Sequence, residues 1–185
     1  MSKAFDDFHR LPSAARRFIL NDQEALKDLI KTNLSPERFE HSLSVAKTAA
    51  ALAKKWGVNE QKAYLAGLLH DVTKYLSAEE QDAYLRYYDA EKMSYPLAVK
   101  HSFTAVYYLK EKLHFHDKAI LNAIYNHTIC KSKDRLSKIL YIADKREPLR
   151  KLHDGLLELA FEDLNKAFVL LNDEVDRYLK QVGKI

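Results

Sequence analysis

Apolar residues recur every third or fourth position along most of the chain, and this spacing is typical of amphipathic α-helices. The clearest apolar stripe consists of Leu43, Ala46, Ala49, Ala53 and Trp56. Ser35 and Pro36 precede the stripe and Gly57 follows it, and residues of these types commonly begin and end helices. The pattern therefore predicts a helix over residues 36–56.

The same spacing predicts six more helices. One begins after Asn59, its N-cap, and carries the apolar positions from Ala63 to Val72. Ser77 and Glu80 have the spacing of a capping box at the start of the next helix. The remaining predicted ranges, beginning with this one, are 78–89, 99–112, 117–128, 134–146 and 155–181.

Composition agrees with an all-α fold. Leu, Ala, Lys and Glu are strong helix formers and account for 81 of the 185 residues, whereas the strand-favouring Val, Ile and Thr account for 21. No repeat and no Gly- or Pro-rich linker divides the chain. We therefore expect one compact helical bundle over residues 23–185, preceded by a weakly patterned N-terminal extension over residues 1–22.

Cysteine content and hydropathy point to the cytoplasm. Cys130 is the single cysteine, so the chain forms no internal disulfide, in agreement with a reducing compartment. The longest unbroken apolar run, Ala63 to Leu69, is far shorter than the roughly 18 residues that a membrane span requires. The first residues also lack the apolar core of a secretory signal. We expect a cytoplasmic protein with no membrane partner.

Positive charge is concentrated in one segment. Residues 131–151 contain eight basic and three acidic residues, which gives a net charge of +5, while the whole chain carries +4. Such a local field suits an anionic ligand such as a phosphate ester or a nucleic acid. A solvated helix face is the alternative, and it is the commoner origin of such runs.

The dipeptide His-Asp occurs three times, at His70-Asp71, His116-Asp117 and His153-Asp154. The second and third pairs lie in polar stretches beside a helix start and a glycine, so we interpret them as surface turns or caps. The first pair instead ends an apolar run within a helix that must be largely buried. Because an unpaired buried carboxylate is costly, Asp71 needs a cation, either an Arg or Lys partner or a metal ion.

Other His and Asp residues lie on or beside the apolar stripes of four further predicted helices. Each of them alone is more typical of a core histidine or a helix cap. Together with the His70-Asp71 pair they supply nitrogen and oxygen ligands without a thiolate, a set that suits Fe, Mn, Zn, Ni or Co. Helical bundles build such sites from side chains on facing helices. The candidate ligands are His41, His70, Asp71, His101, His127 and Asp144.

Five segments carry a resemblance to a known family. They read HSLSVAKTAAALAKKWG, AYLAGLLHDVTK, KHSFTAVYYL, AIYNHT and LSKILYIADKREPLR. In this order, and with the pattern H…HD…D, they resemble the bacterial symmetrical bis(5′-nucleosyl)-tetraphosphatases, which belong to the HD-domain metal-dependent phosphohydrolases. The resemblance covers roughly residues 36–180 and implies an all-α HD-domain bundle with a metal site between facing helices.

The resemblance also implies an activity, which is hydrolysis of diadenosine tetraphosphate and related dinucleoside polyphosphates to two ADP. One or two divalent transition-metal ions would be required, with Fe as the first expectation and Mn, Co, Ni and Zn still open. Four residues match the core metal ligands of the family, and His101 and His127 match a second metal position. Asp71, bridging two metals, and Lys74, near the phosphates, are the expected catalytic residues. The core ligands are His41, His70, Asp71 and Asp144.

Two segments depart from the family pattern, and both lie near the expected nucleotide pocket. His127-Thr128 is followed by ICKSKD without the usual glycine, and Arg146 and Leu149 stand where the family tends to an apolar residue and a glycine. These departures bear on substrate preference more than on metal binding. The expected substrate contacts are Lys74, Arg38, Thr128 and Arg150.

Two other functions stay open at this point. An HD-domain hydrolase for another nucleotide would use the same ligands, so only a panel of substrates separates it. A non-catalytic nucleotide- or RNA-binding domain would use residues 131–151 as its contact surface. Tyr141 is the single aromatic residue of that segment, and a protein that only binds has no need of inward metal ligands. We therefore do not expect nucleic acid as a partner.

Two further features of the sequence have no role in the expected hydrolase activity. The Cys130 thiol lies beside Lys131, a setting that can lower a thiol pKa, but we expect no nucleophilic role for it. Tyr84, Tyr87 and Tyr88 lie on one predicted helix. Such a cluster is more typical of a core or a dimer surface than of a base-stacking platform, and a homodimer is compatible with it.

Overall fold

The structure, a computed structural model, describes residues 7–8, 10–145 and 155–181. These residues contain ten α-helices and one short 3₁₀-helix and no strand, so the all-α prediction is confirmed. The helices are α1 Ser13–Asn21, α2 Gln23–Lys31, α3 Pro36–Lys55, α4 Glu60–Leu69, α5 Ala78–Tyr88, the 3₁₀-helix Ala90–Ser94, α6 Leu97–Leu113, α7 Lys118–Tyr125, α8 Arg135–Lys145, α9 Leu156–Glu162 and α10 Leu164–Gln181.

The helix starts follow the capping residues of the sequence. The Ser35 side chain accepts a hydrogen bond from the backbone N–H of Arg38, which caps α3. Asn59 caps α4 in the same way. Ser77 and Glu80 form a reciprocal capping box at the start of α5. At the other end of α3, Gly57 has a φ of +65°, a left-handed conformation that glycine adopts without strain.

Three predicted helices differ from the structure by three residues or more. The predicted helix over 155–181 is divided at Asp163, whose backbone is extended and whose side chain accepts from the N–H of Lys166 at the start of α10. The predicted helix over 117–128 ends at Tyr125. Helix α4 ends at Leu69, so that His70 and Asp71 lie in the turn after it rather than within it. Local i to i+3 hydrogen bonds replace the α-helical ones in this turn.

Within the weakly patterned N-terminal segment, residues 13–21 form α1. Ile19 and Leu20 of this helix are half-buried against the main hydrophobic core. None of the helices described is long and apolar enough to cross a membrane.

Helices α3 and α4 pack with their backbones in close contact at Gly67. A Cβ atom placed on Gly67 would lie 2.5 Å from Cα of Ala46 and 3.0 Å from the carbonyl carbon of Val45. Real side chains do not tolerate such distances, so only glycine fits here. This contact fixes the spacing between the helix that carries His41 and the turn that carries His70.

We expect Gly67→Ala to destabilise the protein by about 1–3 kcal/mol, although Gly→Ala within a helix ordinarily stabilises it. The added methyl group would push α3 and α4 apart, as urea unfolding would detect. Because the opposing atoms are backbone atoms, the double variant Gly67→Ala/Ala46→Gly should not recover stability. Recovery in the double variant would show that side-chain crowding, and not backbone contact, sets the distance.

Candidate metal centre

The structure brings the six candidate ligands of the sequence together at one place. His41 lies in the second turn of α3, His70 and Asp71 follow α4, and His101 lies in the second turn of α6. His127 follows α7 and Asp144 lies at the end of α8. Five of these side chains are buried and Asp144 is nearly so, with 11% of its side chain exposed.

The first group of ligands surrounds the Nε2 atom of His70. This atom lies 3.3 Å from Nε2 of His41, 3.4 Å from Oδ2 of Asp71 and 3.4 Å from Oδ1 of Asp144. The Asp144 oxygen is also 3.3 Å from Nε2 of His41. His41, His70 and Asp71 thus present ligand atoms close enough to one another to hold a metal ion, with Asp144 beside them.

The second group of ligands faces the other oxygen of Asp71. Oδ1 of Asp71 lies 3.1 Å from Nε2 of His101 and 3.7 Å from Nε2 of His127, and these two nitrogens are 3.0 Å apart. This group could also hold a metal ion. The two oxygens of Asp71 therefore face two different groups, as a carboxylate that bridges two metal ions must.

Backbone carbonyl groups orient two of the imidazole rings. Nδ1 of His70 lies 2.7 Å from the carbonyl oxygen of Gly67, and Nδ1 of His127 lies 2.7 Å from that of Ile124. A carbonyl oxygen can only accept, so each Nδ1 carries a proton and Nε2 is the ring nitrogen that faces the site. Metal-binding histidines are commonly held in this way.

The charges around the first group favour a cation there. Burial opposes protonation of His70, but Asp71 and Asp144 outweigh it and raise the pKa of His70 to about 10. The carboxyl pKa values of Asp71 and Asp144 lie well below their ordinary value because the neighbouring histidines and Lys145 oppose the effect of burial. The negative charges of Asp71 and Asp144 therefore favour a positive charge between the His41 and His70 rings, and a divalent ion would supply it. The residues present fit a metal ion.

The second group differs in its protonation. Burial lowers the pKa of His101, and it lowers that of His127 to about 3. Both rings are neutral at physiological pH and therefore keep a lone pair for a ligand bond.

Lys145 is a site residue that the sequence analysis missed. Its Nζ lies 2.6 Å from Oδ2 of Asp144 and donates to the carbonyl oxygen of His127 at 3.1 Å, and only 6% of the residue is exposed. Lys145 therefore connects Asp144, a ligand of the first group, to the backbone of His127, a ligand of the second group. As part of the basic run over 131–151, it resembled a solvated lysine. Its place beside Asp144 at the end of an apolar stripe was the available signal.

Three of the four expected substrate contacts border the same site. The Arg38 guanidinium lies 3.0 Å from Oδ2 of Asp71, and Nζ of Lys74 lies 3.3 Å from Nε2 of His101. Burial lowers the pKa of Lys74. Thr128 is buried and its hydroxyl lies 2.7 Å from that of Ser102. Arg150 lies outside the described residues, as do Arg146 and Leu149.

A cavity of about 670 Å³ opens over the metal-binding groups. Its floor includes His41, Asp71, His101 and Asp144, with Arg38, Lys74 and Lys145 beside them. The C-terminal half of α10 forms another wall, which includes Arg177 and Tyr178. This wall was not predicted from the sequence, since helical periodicity does not show which turns of a long helix face a cavity.

The two other His-Asp pairs do not join the site in the described part of the chain. His116 is exposed, and the Asp117 side chain accepts hydrogen bonds from the N–H groups of Ala119 and Ile120 as the N-cap of α7. The prediction of a surface cap is confirmed for this pair. His153 and Asp154 lie outside the described residues.

The environment of Cys130 differs from the sequence-based view that Lys131 could lower its pKa. The thiol is buried, and burial raises its pKa to about 11. A thiol with a raised pKa is a poor nucleophile, and this agrees with the expectation that Cys130 has no nucleophilic role.

We expect Cys130 of the native protein to react with iodoacetamide at pH 8 roughly 100-fold more slowly than in the urea-unfolded chain, because few thiolates form. Mass spectrometry of the alkylated chain would measure both rates. The Cys130→Ser variant should keep its metal content. Fast alkylation of the folded protein would contradict the burial of this thiol.

Two groups of His and Asp side chains share the Asp71 carboxylate between facing helices. This arrangement is that of a metal-binding helical bundle. The model of the HD domain family matches residues 38–149, and the chain belongs to this family.

The chain is similar to several curated proteins. It is 33% identical over 159 residues to the "Bis(5′-nucleosyl)-tetraphosphatase, symmetrical" of Halalkalibacterium halodurans, covering 81% of this chain and 82% of that protein. It is 33% identical over 180 residues to a "Probable nicotinate-nucleotide adenylyltransferase/Ap4A hydrolase" of Mycoplasma genitalium, covering 92% of this chain and 51% of that protein. The chain thus spans about half the length of this relative.

A solved structure shows the same fold. It is the crystal structure of a "predicted HD superfamily hydrolase involved in NAD metabolism" from Clostridium acetobutylicum, with a TM-score of 0.79 and 31% sequence identity. The similarity covers 89% of this chain and 90% of that one.

Proposed function

We propose that this chain is a metal-dependent hydrolase that cleaves diadenosine tetraphosphate symmetrically into two ADP. The observation that carries the proposal is the position of Asp71, whose two oxygens face two separate metal-binding groups at the floor of one cavity. The symmetrical tetraphosphatase of Halalkalibacterium halodurans supports the choice of substrate, since the similarity extends over most of both chains.

Two divalent ions would share Asp71 and would otherwise be held by different residues. His41, His70 and Asp144 would hold the first ion, His101 and His127 the second, and Asp71 would bind both. Iron is the first candidate, and Mn, Co, Ni and Zn suit the same nitrogen and oxygen ligands. When bound, such ions make water more acidic and withdraw charge from phosphoryl oxygens.

The cationic side chains of the floor would act on the phosphates. Lys74, whose Nζ lies 3.3 Å from Nε2 of His101, would neutralise charge that develops on the transferred phosphoryl group. Arg38 and Thr128 border the cavity and would hold the outer phosphates, and Arg150 is a further candidate. Lys145 keeps Asp144 in place and offsets its charge, so it acts as a positioning residue.

A hydrolase for another nucleotide is the main alternative. The metal-binding groups would be the same, whereas the segment 129–134, which lacks the family glycine, begins at the cavity with Ile129. Substrate preference therefore depends on residues around the metal groups and not on those groups themselves.

A chromatographic panel of substrates tests the proposal. The protein, supplied with Fe, Mn or Co, should convert diadenosine tetraphosphate to ADP alone and prefer it to ATP and to nucleoside monophosphates. AMP and ATP in equal amounts would refute symmetric cleavage, and turnover of monophosphates alone would favour a nucleotidase. His70→Ala, prepared in parallel, excludes a contaminating activity.

A homodimer and a cytoplasmic location remain predictions from the sequence. Tyr87 and Tyr88 are 81% and 40% exposed, so they are available for a contact between two copies. Light scattering of the purified protein, compared with a Tyr87→Lys variant, would test the dimer.

A further inference from the structure

The cavity above the metal-binding groups has a charged floor and side walls that combine apolar and polar residues. One wall belongs to the last turns of α10, where Val175, Tyr178 and Leu179 alternate with Glu174, Arg177 and Gln181. Another part of the lining is apolar and includes Pro96 and Val99 at the start of α6, together with Ile129. The floor carries the metal-binding groups and three cationic side chains. A ligand that fills this cavity would have one strongly anionic part and one flat or apolar part.

Tyr178 is unusual among the wall residues. It lines the cavity, yet 59% of its surface is exposed, which makes it one of the most exposed large aromatic residues described. Other aromatic rings of the bundle pack against neighbours, as Tyr141 does against Phe168. An aromatic face that borders a cavity and stays open to solvent is suited to stacking with a planar group of a ligand.

We propose that the slot between the end of α10 and the start of α6 is a nucleobase subsite in which the base stacks on Tyr178. This inference rests on the proposed function for the class of ligand, and it adds the residue that recognises the base. Phosphates at the metal groups and a base against the Tyr178 ring account for both parts of the cavity. The same wall carries two side chains of opposite charge, Glu174 and Arg177.

Stacking on Tyr178 also predicts how strongly the subsite discriminates among nucleobases. Every nucleobase has an aromatic face, so stacking alone discriminates poorly among bases. The slot should therefore favour nucleotides over polyphosphates that carry no base, while guanosine and adenosine nucleotides should bind with similar strength.

Calorimetric binding to the metal-loaded full chain tests the subsite without relying on turnover. Tyr178→Ala should weaken ADP binding by about 5- to 150-fold, the range expected for loss of one stacked base, while inorganic pyrophosphate should bind as before. Tyr178→Phe should keep ADP affinity, since it keeps the ring. Tyr87→Ala, which removes another exposed tyrosine outside the cavity, is the matched control and should change neither affinity.

The outcomes separate the subsite from the proposed function. Unchanged ADP affinity in Tyr178→Ala would overturn the subsite, as would equal weakening of ADP and pyrophosphate. If the wild-type protein produces ADP from diadenosine tetraphosphate and Tyr178→Ala binds ADP normally, the proposed activity is supported and the nucleobase subsite is refuted. If Tyr178→Ala selectively loses ADP binding and the wild type cleaves no dinucleotide, the subsite is supported and the proposed activity is refuted.

Discussion

Asp71→Ala should remove both metal ions and lower the rate of hydrolysis by at least about 10³-fold, which corresponds to about 4 kcal/mol in the activation barrier. Its two oxygens lie within 3.4 Å of His70 in the first group and 3.1 Å of His101 in the second, and among the described residues Asp71 is the ligand that the two groups share. Elemental analysis of the purified variant, together with the chromatographic assay, would measure both losses.

An amide at the same position makes the test more specific. Asp71→Asn keeps the size of the side chain but offers one oxygen, so it should lose one of the two ions. The matched control is Asp117→Asn, the same substitution in another His-Asp pair, where asparagine caps a helix as well as aspartate does. Full metal content in Asp71→Asn would rule out the bridging role, and loss of metal in Asp117→Asn would indicate a nonspecific effect.

Much of the fold could be predicted because local signals agree with the final packing. Ser35, Asn59 and Ser77 cap the helices that the sequence assigns to them. Ala46, Ala49 and Ala53 of the clearest apolar stripe are buried in α3. The division at Asp163 was not predicted, since the apolar spacing continues across it. A single capping side chain changes the helix there without interrupting the pattern.

The candidate ligands could be identified because each polar side chain lies on or beside an apolar stripe. Helical spacing places His41 and His101 on the buried faces of α3 and α6. It does not give the distance between helices, which depends on contacts such as that of Gly67 with Ala46. The pairing of each ring with one oxygen of Asp71 therefore required the structure.

Contacts between distant segments explain what the sequence did not reveal. Lys145 turns toward Asp144 and toward the carbonyl of His127, which lies 18 residues earlier in the chain. The wall that contains Tyr178 reaches the cavity only through the packing of α10. Charge runs and amphipathic spacing look alike on solvated and site-facing surfaces, so neither contact was predicted.

Loss of single histidines should separate the two metal-binding groups. His70 is fully buried, its Nδ1 is held by Gly67, and its Nε2 lies within 3.4 Å of three other ligands, so His70→Ala should abolish activity at any metal concentration.

His101→Ala should weaken the second ion by at least about tenfold, since even the loss of a partner that merely orients a ligand costs about 10- to 100-fold in affinity. Water can take the place of His101 in a group that lines the open cavity, so added metal should restore much of the activity. Titration of each variant with Mn or Co, followed by ADP release, would measure both effects. His116→Ala, an exposed histidine outside the site, should behave as the wild type. If high metal concentration restored the activity of His70→Ala, or failed to restore that of His101→Ala, the first group would not be the more essential of the two.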